Sequence, residues 1–135
     1  MGSMLAIYIP ESVNLYDEAD VKIIIDMFEK AVDIFKPFYG CVSNVRIYNK
    51  HIARKNSGQP PFIYKGKPST VHWLNYWSEE IADCIGFDKI KKVLDEHRQI
   101  SFDSGIFKIK NCALDAENES DMEFHKLLDR ELGLR

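Results

Sequence analysis

The stretch from Asp17 to Pro37 constrains this chain more than any other. Apolar residues fall at Val21, Ile24, Ile25, Phe28, Val32 and Phe35, the i, i+3, i+4, i+7 rhythm of a helix with one buried face. Asp17 is placed to cap it, Glu18 and Asp20 suit the positive end of its dipole, and Pro37 cannot continue it. Such a helix cannot bury its own stripe. The rest of the chain must supply a layer for it to cover.

That layer reads as short strands joined by short helices. Residues 5–9 form an apolar run ended by Pro10, and residues 39–48 are rich in β-branched and aromatic side chains. Gly58, Pro60, Pro61, Gly66 and Pro68 break regular structure, so 51–67 reads as a long loop. Ser78 can cap a helix with Ile81 and Ile85 inward and Gly86 at its end; a second short helix over 88–96 turns Ile90, Val93 and Leu94 inward. Residues 98–102 and 106–110 alternate around Asp103-Ser104-Gly105, a hairpin signal. Ser120-Asp121-Met122-Glu123 reads as a capping box, Ser120 at the N-cap, for a last helix with Phe124, Leu127, Leu128 and Leu132 on one face. The order predicts a single α+β domain over 4–135: a largely antiparallel sheet, a long N-terminal helix, a central helix pair and a C-terminal helix. Met1-Gly2-Ser3, ahead of a second methionine, reads as an expression scar.

Composition sets the class. Hydrophobic residues at 45% and charged residues at 29% match globular usage. No apolar run approaches the ~18 residues of a membrane span, and no secretory signal opens the chain. Cys41, Cys84 and Cys112 are odd in number and lack a CxxC pair, so reduced thiols and a cytoplasmic location are expected.

The search for chemistry turns up little. His51, His72, His97 and His125 form no metal-ligand spacing, and the glycines form no phosphate loop, so neither a metal nor a cofactor is expected. Cys84 with His72 is the conceivable nucleophile pair, but Cys84 lies beside Asp83 among apolar helix positions, where a thiol packs instead of ionising. Asp103 with Lys108-Ile109-Lys110 has part of the acid–lysine pattern of metal-dependent nucleases, without the Glu between them. No catalytic residue is assigned, and the chain does not read as an enzyme.

Charge is more informative. The net charge is only −3, yet no Asp or Glu occurs between Ile34 and Ser78. Lys36, Arg46, Lys50, Arg54, Lys55, Lys65 and Lys67 lie there, interleaved with Phe38, Tyr39, Tyr48, Phe62 and Tyr64. Such a stretch can bind nucleic acid through phosphate contacts and stacking, although the acidic balance of the whole disfavours it. Acids gather instead at Asp115, Glu117, Glu119, Asp121 and Glu123, and at Glu79, Glu80 and Asp83. Those positions would steer a basic partner.

Between these charged stretches stands an aromatic segment. Trp73, Tyr76 and Trp77 read as core anchors, while an exposed tryptophan there would be a binding hot spot. Pro68, then His72-Trp73-Leu74-Asn75-Tyr76-Trp77, a helix, Ile85-Gly86 and a further short helix resemble the immunity protein 52 family of bacterial polymorphic toxin systems. The resemblance implies a non-enzymatic α+β protein. It would bind a cognate toxin, a nuclease with a restriction-endonuclease-like fold, in the cytoplasm of the producing cell. It also implies that Trp73, Leu74, Asn75, Tyr76, Trp77 and Gly86 are scaffold. The expected toxin contacts are then the acids Asp115, Glu117, Glu119, Asp121, Glu79, Glu80 and Asp83. The alternative is a small nucleic-acid-associated protein using residues 36–67.

Overall fold

The structure, a computed structural model, describes residues 3–9, 17–44 and 62–134. Helix α1 (Glu18–Phe35) starts where the Asp17 side chain accepts from the N–H groups of Ala19 and Asp20. Its N-terminal neighbour is β1 (Met4–Ile9) and its C-terminal neighbour β2 (Tyr39–Asn44). These two strands pair in parallel, which requires a crossover, and α1 supplies it. Val21, Ile24, Phe28 and Val32 are the buried face of α1. Phe28 packs over Gly40, where a Cβ would stand 3.5 Å from the phenyl ring and 3.3 Å from the Leu5 carbonyl. The missing side chain lets helix and sheet approach. Phe35, expected to extend the stripe, is 65% exposed in the last helical turn, where the left-handed Lys36 turns the chain toward β2.

Two short strands, β3 (Ile63–Tyr64) and β4 (Lys67–Pro68), form a hairpin around Lys65-Gly66, so the expected loop ends earlier than predicted. After it come β5 (Leu74–Trp77), α2 (Glu79–Ile85), α3 (Phe87–Glu96), β6 (Ser101–Asp103), β7 (Ile106–Lys108) and α4 (Glu119–Glu131). The main sheet runs β1-β2-β5-β7-β6, antiparallel in every pair except β1–β2. The fold is α+β with a mostly antiparallel sheet, and the helices follow the expected order. No described helix is long and apolar enough to cross a membrane.

Strand β5 is the main departure from expectation. The aromatic segment reads as an anchor ahead of a helix, yet its last four residues form the middle strand, hydrogen-bonded to β2 and β7. A strand covered on both faces loses the alternation that marks strands in a sequence. Asn75, fully buried, explains how the chain turns into it. Its Nδ2 donates to the carbonyls of His72 at 2.8 Å and Phe107 at 3.0 Å, and its Oδ1 accepts from the His72 N–H at 2.9 Å. Trp73 is 4% exposed and donates Nε1–H to the Lys110 carbonyl, and Trp77 stacks on Phe107 with ring centroids 4.3 Å apart. Both tryptophans are core.

Other differences are local. Helix α4 is capped by Asn118, whose side chain accepts from the Asp121 N–H, so Ser120 falls inside the first turn and Glu123 beyond it instead of forming the capping box. Gly86, at φ 111°, is both the end of α2 and the start of α3, a backbone conformation that side chains resist. The expected strand residues 45–48 and most of the 51–67 loop, with Arg46, Lys50, His51, Arg54 and Lys55, lie outside the described residues.

Removing the Asn75 side chain would leave three backbone groups in the core without their partner. Asn75→Ala is expected to cost about 2–5 kcal/mol, comparable to the loss from a large aromatic truncation such as Trp73→Ala. Urea unfolding checks this, and a variant as stable as the parent would show that the turn holds without its amide.

Candidate functional site

Five strands about 4.8 Å apart span roughly 19 Å, whereas one helix with its side chains is about 10 Å wide. Helix α1 therefore covers only part of its face of the sheet. The uncovered part, toward β7 and β6, is an open cleft of about 430 Å³. Ile25 and Ile106 give it partly exposed apolar surface over the buried Phe28, Val32 and Leu74, and Ser101, Ser104 and Lys108 line it from the hairpin side. Glu29 and Asp33 of α1 and Asp103 of the hairpin bring three exposed carboxylates to its lining. Asp103 and Lys108 had drawn notice as a fragment of a nuclease pattern. The helix acids facing them carried no signal, because nothing local in a sequence says which polar side of a helix overlooks a distant hairpin.

The acids picked out by density divide in two. Glu79, Glu80 and Asp83 on α2 are exposed, as are Glu117 and Glu119 at the start of α4. Asp121 is turned inward: its Oδ1 accepts from Lys110 Nζ at 2.9 Å and its Oδ2 from the Asp115 N–H at 2.8 Å. The hydrogen bond from the Lys110 ammonium to Asp121 in turn raises the lysine pKa. Asp115 accepts from the Glu117 N–H at 2.9 Å, closing the next turn. Asp115 and Asp121 thus shape the segment that leads into α4.

A buried polar cluster joins α4 to the residues ahead of β5. Asp129, 1% exposed, accepts from the Val71 N–H at 2.8 Å and from the Thr70 hydroxyl at 2.6 Å. His125 Nε2 lies 2.9 Å from the Val71 carbonyl and 3.2 Å from Thr70 Oγ1. A carbonyl only accepts, so Nε2 carries the proton. Thr70, whose single hydrogen goes to Asp129, then accepts from it. The imidazole is a donor here, not a base positioned to activate the hydroxyl. Next to this cluster burial lowers the His72 pKa to about 3, with the charge of His125 adding to the effect. Burial also pushes the Cys41 thiol up to about 12, so it stays protonated as a small core side chain. The Tyr39 hydroxyl is pushed well up, chiefly by the same desolvation, with the neighbouring Cys41 adding to it.

The Cys84–His72 pair is not assembled. Cys84 is exposed, contrary to its expected packing, with Sγ 3.7 Å from the Lys65 carbonyl, while the His72 ring is buried against Phe62. Of the basic stretch, the structure describes Lys36, Lys65 and Lys67; Lys65 Nζ sits 5.4 Å over the Tyr64 ring, the face on which a base would stack. Among the described residues, the side chains close enough to share a metal ion are Glu96, His97 and Glu131.

No family model matches this chain, and neither a curated protein nor a solved structure does.

The buried imidazole of His72 has a consequence for stability. Its pKa is depressed in the fold, so between about 6.5 and 3 the unfolded chain binds a proton that the folded chain refuses. Stability attributable to His72 is complete above that window and falls as pH drops through it, by at most ~1.4 kcal/mol per pH unit. Going from pH 7 to pH 5 should cost up to about 2 kcal/mol, most of it absent in His72→Gln. Urea midpoints of the two proteins at both pH values decide it; parallel pH dependence would assign the effect to other groups.

Proposed function

We propose that this chain is an immunity protein: it binds a cognate bacterial toxin, a nuclease effector, in the cell that makes both, and neutralises it there. The observation that carries the reading is the cleft between α1 and the β6–β7 hairpin, with apolar residues at its floor and Glu29, Asp33 and Asp103 around it. A nuclease holds phosphates and therefore presents lysine and arginine. Their charged heads would meet the carboxylates while their methylene stems lie on Ile25 and Ile106, the partly exposed apolar residues of the cleft lining. The exposed acids Glu79, Glu80, Asp83, Glu117 and Glu119 add to the attraction during approach. Asp121, both of whose oxygens hold their own segment, would act on a partner only through the shape of that segment, whereas the half-exposed Asp115 also carries its charge there.

The resemblance of residues 68–86 to an immunity family supports the same reading from the sequence side. Both of its tryptophans are interior, which suits scaffold and leaves recognition to the surface. The acids at the cleft also weigh against nucleic acid there, because phosphates would meet like charge.

The test is co-expression with the toxin domain encoded beside this chain. Asp33→Lys combined with Asp103→Lys should leave the melting temperature nearly unchanged, since both side chains are exposed. It should weaken the complex at least ~10-fold, because desolvated charge pairs are each worth about 2–5 kcal/mol when broken. Reversing Glu117 and Glu119 should mainly slow association in low salt. Full protection by the cleft double variant would place the interface elsewhere, and a chain that never binds the neighbouring toxin would end the immunity reading.

A further inference from the structure

The C-terminal ends of α3 and α4 bring three potential metal ligands together, none of them a residue of the cleft or of the Thr70 cluster. Glu96 is the last residue of α3, His97 is its C-cap, and Glu131 is the last residue of α4. One ligand atom from each lies within 4.8 Å of the others. His97 Nε2 and Glu131 Oε2 are 3.3 Å apart. That is long beside the ~2.9 Å of an ordinary N–H···O bond. It matches the roughly 3.3–3.4 Å edge of a tetrahedron whose metal–ligand bonds are about 2.0–2.1 Å.

The surroundings suit an ion. The imidazole packs edge-on against Phe124, with centroids 5.4 Å apart and planes at 73°, which orients its Nε2 edge. The side chains of His97 and Glu131 are 18% and 23% exposed, so an ion can enter yet would be partly shielded once there. Glu96 pairs with Lys92 at 3.9 Å, a loose exposed pair that costs little to exchange.

We propose that Glu96, His97 and Glu131 form a binding site for a divalent transition-metal ion, zinc by its ligand preference, with water completing the coordination. One imidazole with two carboxylates favours zinc or its neighbours over magnesium and calcium, which take all-oxygen sets. On binding, Nε2 gives up the hydrogen it shares with Glu131 and coordinates through its lone pair, while Nδ1 carries the ring proton and the displaced ammonium of Lys92 turns to solvent. The ion would clamp the ends of two helices that are otherwise joined there by the His97–Glu131 contact and packing.

Isothermal titration of the metal-stripped full chain with zinc chloride tests this, in a Cys84→Ser, Cys112→Ser background so that accessible thiols do not contribute. One equivalent should bind and raise the melting temperature, while magnesium chloride does neither. His97→Ala and Glu131→Gln should each weaken zinc binding at least ~10-fold. If His97→Ala does not fold, the isosteric Glu131→Gln and Glu96→Gln carry the comparison. Absence of binding at excess zinc overturns the site, as does binding that every one of these variants retains at parental affinity. Neither outcome depends on what the cleft binds.

Discussion

A carboxylate shut inside the core has to be met by donors, and the way Asp129 is met organises much of this molecule. Water is not available to it at 1% exposure, so an uncompensated oxygen there would cost several kcal/mol. The Val71 N–H and the Thr70 hydroxyl supply the donors, from the segment that leads into β5. Helix α4 is thereby tied by direction, not merely by apolar contact, to the start of the central strand. Asn75 then satisfies the turn at residues 72–75 from within. Strand β5 has only four residues, yet it joins β2 to β7 and so holds the two halves of the sheet together. Its Leu74 lies buried beneath the cleft. A buried acid on the last helix and an open surface beside the first are linked through one short strand.

What the sequence disclosed follows from which signals are local. The α1 stripe, the Asp17 and Ser78 caps and the β6–β7 hairpin all lie within a few residues of their cause, and each was legible. The cap of α4 went wrong by two residues because Asn118 and Ser120 are both competent caps, and the choice was made by the Asp121 carboxylate reaching back to the Asp115 N–H. Strand β5 hid because its residues are buried on both faces. At the candidate site, charge density pointed to 115–123, but density does not reveal direction. Asp121 faces inward, while Glu29, Asp33 and Asp103 meet only because α1 and the hairpin share one face of the sheet.

This separation bears on how a scaffold and a recognition surface can coexist in so small a chain. Most of the aromatic stretch is interior: Trp73, Leu74, Asn75 and Trp77 are all buried. Substitution there is opposed by cavities and orphaned hydrogen-bond groups whatever the partner is. The carboxylates of the cleft are exposed and can change with little cost to the fold. If the proposed function holds, a change of partner would proceed through Glu29, Asp33 and Asp103 with the aromatic strand beneath left intact.

The cleft and the Glu96–His97–Glu131 group lie on opposite sides of that sheet. Phe28 over Gly40 places α1 and the cleft on one face. By strand alternation the opposite face carries Tyr39, Cys41, Trp77 and Phe107, and Asp129 of α4 acts electrostatically on Tyr39 from that side. Helix α3 packs against α4, and the ligand group sits where their ends meet. With a layer of packed side chains between, perturbations at the two places should add with little coupling. An ion at the helix ends would therefore act on partner binding only by stabilising the fold as a whole. A coupling beyond that could travel through α4, Asp129 and the residues it holds ahead of β5, a hydrogen-bonded route from that helix toward the strand beneath the cleft.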